Sequence, residues 1–175
     1  MDRLLPTVLI VALVVAAAAL MLVGWRARRR RQSDIAAPLA APPQLGAPVV
    51  SVDGWYVATT PQGEPLERIA VHGLGFRARA TVSAHPEGIM LARQGSEPAY
   101  IPAAHLRTSG RATWAIDRVV EPEGLVVIGW KLGSLPVDTY LRLAERSDAE
   151  RLLVAVNDLL SGPAPDPDPA EEVTS

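Results

Sequence analysis

Apolar and polar positions follow three distinct patterns along the chain, and the first is an uninterrupted apolar run. No charged residue occurs between Leu4 and Trp25. As a helix rising about 1.5 Å per residue, this run would span roughly 33 Å, slightly more than a hydrocarbon core of about 30 Å. The pattern therefore predicts a short N-terminal segment at residues 1–3 and a single transmembrane helix over residues 4–25.

A cleaved signal peptide is the alternative explanation of an apolar run near the N-terminus. Signal peptides have a positive start, about 7–15 apolar residues and a small-residue cleavage site. Here the run is longer, and the alanines of Ala16–Ala19 are followed by the bulky Leu20–Val23 rather than by a well-placed site. We therefore expect a retained anchor.

The second pattern is alternation with a period of two, which is typical of half-buried strands. It is strictest from Phe76 to His85, where Phe, Ala and Val occupy one face and Arg, Thr, Ser and His the other. Turn residues separate further β-rich stretches, and Glu121–Gly124 is predicted to be a hairpin turn. The predicted strands are Val49–Thr60, Phe76–His85, Ile89–Arg93, Ala99–Ile101, Arg111–Asp117, Leu125–Leu132 and Leu135–Leu143.

The third pattern is a helical stripe near the C-terminus. Ser147 and Glu150 have the spacing of a capping box, and Gly162 and Pro163 are typical of a helix end. The apolar positions between them predict an amphipathic helix. We expect this stripe to close one mouth of a small barrel rather than to form an interaction face; it consists of Leu152, Leu153, Val156, Leu159 and Leu160.

Two segments outside these elements have no sustained period. Residues 26–48 begin with arginines and continue as a Pro/Ala-rich stretch, which predicts a juxtamembrane segment and a semi-extended linker. Residues 162–175 alternate proline with acidic residues and predict a disordered acidic tail. The domain is accordingly assigned to residues 49–161.

The charge distribution predicts an orientation in the membrane. Five arginines follow the apolar run, whereas only Arg3 precedes it. Since basic residues beside a span stay on the cytoplasmic side, we expect the N-terminus outside and the domain in the cytoplasm, at the plasma membrane. The residues expected at the membrane interface are Trp25, Arg26, Arg28, Arg29, Arg30 and Arg31.

The order of elements, about seven short strands and then one helix, resembles the pleckstrin-homology-like (PH-like) fold. The anchor, the arginine run, the linker and the ending GWKLGSLPVDTYLRLAERSDAERLLVAVNDLL also resemble an actinobacterial family of membrane-anchored PH-like proteins. Some members carry transporter or export labels. The resemblance implies a mainly β structure with α: a seven-stranded barrel or sandwich capped by the C-terminal helix.

Catalytic and cofactor chemistry finds little support in the sequence. The chain has no cysteine, and the separations between His72, His85 and His105 match no familiar zinc pattern. Gly73-Leu74-Gly75 lacks the third glycine of a dinucleotide loop, and the acidic pairs at Glu121/Glu123 and Glu171/Glu172 lie in a turn and in the tail. We expect no enzymatic activity, catalytic residue, metal or cofactor.

The distribution of charge bears on which anionic ligands the chain could bind. Residues 33–175 carry 11 basic and 18 acidic side chains, a net charge of −7, which disfavours nucleic acid. Residues 50–160 carry 11 basic and 13 acidic groups. Arg68, Arg77 and Arg79 are the residues that would contact a lipid headgroup or a partner, although a solvated sheet face explains them as well.

The expected function is that of a non-enzymatic adaptor, integral to the bilayer, whose domain binds a protein partner at the inner membrane face. The alternatives are an anionic-lipid-binding domain and an accessory subunit of a transport or envelope assembly. Burial in the core is expected for Trp55, Trp114 and Trp130, and exposure of Trp55 or Trp114 would instead indicate a partner surface.

Overall fold

The structure, a computed structural model, describes residues 4–43, 45–112 and 124–162. It divides into two units, residues 1–35 and residues 36–175. The described elements in chain order are α1 (Leu4–Arg31), β1 (Val50–Pro61), β2 (Ala78–His85), β3 (Gly88–Arg93), β4 (Ala99–Pro102), a 3₁₀ turn (Ala103–His105), β5 (Leu106–Ala112), β6 (Leu125–Leu132), β7 (Leu135–Leu143) and α2 (Arg146–Ser161).

The first unit is the helix α1, which continues six residues beyond the predicted end at Trp25. Its last turn carries four arginines, and the Arg29 guanidinium carbon lies 5.0 Å from the centre of the Trp25 ring. By length and composition α1 could cross a membrane, although a signal sequence would meet the same test. The arginines of the predicted juxtamembrane segment thus form part of the helix.

The second unit contains a seven-stranded antiparallel open sheet with the strand order β4-β3-β2-β1-β7-β6-β5. The long strand β1 connects its two halves, because Val50–Tyr56 pairs with β2 and Gly54–Pro61 pairs with β7. The register with β7 shifts between Tyr56 and Ala58, and such an irregularity increases the local bend of a strand. The structure confirms the predicted mainly β fold with a C-terminal helix.

The helix α2 packs part of its apolar stripe on the sheet, against β5, β1, β2 and β7, while Leu153, Leu159 and Leu160 stay partly exposed. Leu152 and Val156 have no exposed surface, whereas Val154 on the same helix is 61% exposed. The predicted capping box is wrong: α2 begins at Arg146 after Glu145, no side chain caps it, and Ser147 lies inside the first turn. Ser147 therefore begins no helix, because the chain is already helical one residue earlier.

Two strand predictions differ from the structure. β5 begins at Leu106 and is described to Ala112, whereas the sequence predicted Arg111–Asp117. The rest of that prediction, with Trp114 and the turn acids Glu121 and Glu123, lies outside the described residues, as do Glu171 and Glu172. Phe76, predicted on the buried face of β2, is 62% exposed because the strand begins two residues later.

Part of the Pro/Ala-rich segment is attached to the domain. The backbone oxygen of Leu39 accepts a hydrogen bond of 2.8 Å from the Tyr100 N–H of the edge strand β4. Further along, the Gly46 oxygen lies 2.6 Å from the Nδ1 atom of His85, which is 7% exposed. Because of these contacts, fewer residues are free to act as a spacer between α1 and the domain than the predicted linker of residues 33–48 would provide.

A chain of buried polar side chains crosses the core. The Trp130 indole N–H donates to the Thr139 hydroxyl over 2.8 Å, and that oxygen lies 2.9 Å from the Thr59 hydroxyl. The Thr59 oxygen is 2.8 Å from that of Tyr56, whose O–H donates to the Leu74 carbonyl over 2.6 Å. Each hydroxyl can therefore donate once and accept once, which satisfies the groups that burial would otherwise destabilise.

We expect the domain to lose stability in alkali because of Tyr56. Burial raises the pKa of Tyr56 to about 12 from 10.0. The unfolded chain releases this proton at a lower pH than the folded domain does. The contribution of Tyr56 to the free energy of unfolding is therefore intact below pH 10 and is lost as the pH rises towards 12. A shift of this size corresponds to about 3 kcal/mol. Denaturant unfolding of residues 36–175 at several pH values should show this loss.

The Tyr56→Phe variant is the control for this prediction. It should be less stable at neutral pH, because it removes the O–H group that donates to Leu74, but its stability should fall less between pH 10 and 12. Equal pH dependence in the two proteins would contradict the assignment to Tyr56. Tyr100 and Tyr140, whose pKa values burial also raises, remain present in both proteins.

Candidate functional site

The first candidate site is an exposed cluster of one tryptophan and three arginines on the sheet. Trp55 is 38% exposed, while its neighbour Tyr56 is fully buried, as expected for successive residues of a strand. Trp55 pairs with Arg79 of β2 on one side and with Arg142 of β7 on the other. The expected burial of Trp55 is thus wrong, whereas Trp130 is buried in the core.

Stacked guanidinium groups hold the Trp55 ring. The guanidinium carbons of Arg77 and Arg79 lie 4.7 Å and 5.1 Å from its centre, within the range of a cation–π interaction. A guanidinium stacked on a ring still directs N–H donors outwards from its edge. We call Trp55, Arg77, Arg79 and Arg142 the Trp55 surface; its chemistry suits carboxylates and other anions.

A glycine positions Arg142 beside the tryptophan. A Cβ atom on Gly54 would lie 2.5 Å from the backbone oxygen of Arg142, so only glycine lets β7 approach this closely. An open cleft of about 780 Å³ runs along this part of the sheet and is lined by Trp55, Arg79 and Arg142. The carboxylate in the cleft, Asp53, accepts a hydrogen bond of 2.6 Å from Thr81.

The structure brings together two of the three predicted contact residues. Arg77 and Arg79 share the tryptophan, but Arg68 lines neither this cleft nor the groove described below, and its charge acts on Tyr56. The sequence pattern missed Arg142, whose position depends on the pairing of β1 with β7. It also missed Arg93, which is 6% exposed and donates to the Gly73 carbonyl over 2.8 Å. Arg93 secures a loop, and its buried Nε atom has no hydrogen-bond partner among the described residues.

The second candidate site is a groove of about 770 Å³ beside the C-terminal half of α2. Its wall on the sheet side is formed by the 3₁₀ turn and the start of the edge strand β5. Two charged side chains, Arg107 and Asp158, also line it. We call this the α2 groove; its apolar lining residues include Ala103, Ala104, Leu106, Ala155, Leu159 and Leu160.

The histidines lie apart from any metal-like arrangement. His85 contacts the Ser83 hydroxyl over 2.9 Å through Nε2, and Nδ1 contacts Gly46, so both ring nitrogens are occupied. Among the described residues, no group of three His, Cys, Asp or Glu side chains could hold a metal ion. The Trp55 surface offers cationic and aromatic side chains, and the α2 groove offers mainly apolar ones.

Solved structures with a related arrangement share little sequence with this chain. A chain of "The 8S snRNP Assembly Intermediate" is 8% identical, with a TM-score of 0.49; the alignment covers 78% of this chain and 97% of that one. The C-terminal domain of an unknown protein from Leishmania infantum is 10% identical, with a TM-score of 0.41, over 63% and 83%. An inhibited Vav1 is 10% identical, with a TM-score of 0.41, over 70% and 28%.

The comparison with protein families is more informative. No curated protein matches the chain. The family described as "Bacterial PH domain-like" matches residues 35–157, which is more than half of the chain. The match begins well before β1 and so includes the segment that carries Leu39 and Gly46. With its seven-stranded antiparallel sheet and its C-terminal helix, the chain belongs to the bacterial PH domain-like family.

Proposed function

We propose that this protein is a non-enzymatic adaptor, anchored in the plasma membrane by α1, with its PH-like domain in the cytoplasm. The domain binds a segment of a protein partner in the α2 groove. The observation that carries the proposal is the groove itself, because no described residue fills it. The apolar length of α1 and the arginines at its end support the anchor and the orientation.

The lining of the α2 groove indicates which kind of segment it would receive. Leu106 forms one wall, Leu159 and Leu160 the other, and small alanines leave room between them. Arg107 and Asp158 can pair with polar groups of the bound segment. This arrangement fits a short segment with apolar side chains facing inwards, because burial of apolar surface supplies affinity and the charged residues fix orientation.

Site-specific photocrosslinking in living cells tests this proposal. The photoreactive residue p-benzoylphenylalanine would replace Ala104 or Leu159 of the full chain, one at a time. Both positions lie in the α2 groove, so each should yield the same discrete crosslinked protein, identified by mass spectrometry. The matched control is Val154, which lies on the same helix, is 61% exposed and does not line the groove.

The Val154 control distinguishes a protein bound in the α2 groove from a protein that is merely close to the domain. A partner that crosslinks at Ala104 and Leu159 at least about tenfold more than at Val154 would support the proposal, since one decade of occupancy is about 1.4 kcal/mol of preference. An equal yield at all three positions, or no product in the groove, would contradict it.

A further inference from the structure

We propose that the acidic C-terminal segment of this chain, residues 163–175, docks on the Trp55 surface and covers it. The inference does not depend on a partner in the α2 groove. It rests on the geometry of the surface, on the charge of the segment and on the length of chain that joins them.

The Trp55 surface lacks the negative charge that would balance its arginines. Its three arginines surround one tryptophan, and two of them stack on the ring. Stacking fixes the guanidinium groups while their N–H edges remain able to form paired hydrogen bonds with a carboxylate. Asp53, the carboxylate lining the neighbouring cleft, is bonded to Thr81. A ligand that supplies several carboxylates in succession would complement this surface.

The C-terminal segment has that composition. It contains Asp166, Asp168, Glu171 and Glu172 and no basic residue. Four prolines between residues 163 and 169 favour an extended chain of about 3.1 Å per residue. Such a chain loses less conformational freedom on binding than a fully flexible one.

The length of the segment is sufficient to reach the surface. Gly162, from which the segment continues, and Val49, which precedes β1, line the same groove. Trp55 lies six residues along the chain from Val49, which is about 20 Å in a strand. Asp168, Glu171 and Glu172 follow Gly162 by six, nine and ten residues and so reach about 19, 28 and 31 Å at the extended spacing.

A covalent crosslink tests the contact in the full chain. Lys131 is the single lysine, so Arg79→Lys places a second amine on the Trp55 surface and keeps its charge. A carbodiimide joins an amine to a carboxylate only when they touch. In the purified Arg79→Lys protein in neutral nanodiscs, we expect amide bonds from this introduced amine to Asp168, Glu171 or Glu172 within one chain. Native Lys131, exposed on β6, is the internal control.

The size of the effect follows from the number of ion pairs. Three exposed pairs of ordinary strength correspond to roughly tenfold higher occupancy, so the introduced amine should crosslink to the segment about tenfold more than Lys131 does. At about 1 M salt, where charges are screened beyond roughly 3 Å, most of this difference should be lost.

Three results would overturn the proposal. Equal yields at the introduced amine and at Lys131 would show that the segment has no preferred position. Crosslinks that join two copies would assign the surface to a second protein chain. Absence of a crosslink to the segment, together with protection of the introduced amine from acetylation in anionic but not in neutral nanodiscs, would assign the surface to the bilayer.

Discussion

A cysteine placed at Ser96 is expected to resist a membrane-impermeant maleimide in intact cells and to react fully after lysis. The native chain has no cysteine, so the label would report this position alone. Ser96 is exposed in the turn between β3 and β4. Protection is the result that the proposed orientation predicts, because the arginines that end α1 outnumber the basic residues before it and such residues favour the cytoplasmic side.

Two further variants make this measurement decisive. Asp2→Cys, on the other side of α1, should react in intact cells. Replacing Arg28, Arg29, Arg30 and Arg31 with glutamine leaves one arginine on each side of the apolar run, so Ser96→Cys should then become partly reactive. Labelling of Ser96→Cys in intact cells with the native arginines would reverse the proposed orientation.

The mass of the mature protein distinguishes the anchor from a signal sequence. A retained anchor gives the mass of the whole chain, 18.6 kDa, in the membrane fraction. Cleavage after the apolar run would remove about 25 residues and release the domain, and would contradict the proposed anchor.

Strands rich in apolar side chains could be predicted from the sequence, and a mostly polar strand could not. β6 and β7 begin and end at the predicted residues, and β1, β3 and β4 agree within one residue at each end. β5 has the sequence LRTSGRA, in which Leu106 is the buried residue. It is a strand because its backbone pairs with β6. Backbone pairing does not require apolar side chains at every second position, so it is not visible as a period in the sequence.

The candidate sites depend on contacts that a local pattern does not contain. The alternation from Phe76 to His85 predicted that Arg77 and Arg79 share a face, but not that both guanidinium groups contact Trp55. Arg142 joins them only because β1 changes partner from β2 to β7 along its length. The α2 groove likewise exists only because α2 lies beside β5, and these two elements are distant in sequence.

Removal of the buried side chain of Leu152 is expected to cause the largest loss of stability among the substitutions considered. Leu152 is fully buried where α2 packs on the sheet, so Leu152→Ala leaves a cavity and should cost about 2–5 kcal/mol. Val154→Ala on the same helix removes an exposed side chain and should cost at most about 0.5 kcal/mol. Denaturant unfolding of residues 36–175, followed by tryptophan fluorescence, measures both.

The pair also tests whether α2 is part of the core or a separable appendage. If α2 only rested on the sheet, Leu152→Ala would unfold the helix and leave the transition seen by tryptophan fluorescence unchanged. If α2 is integral, both the helical signal and the tryptophan signal should shift together to lower denaturant, because small single domains unfold cooperatively. We expect the second result, since α2 contacts strands from both halves of the sheet, β1 and β2 as well as β5 and β7. A helix held in this way keeps the α2 groove in place, because one wall of the groove is the helix itself.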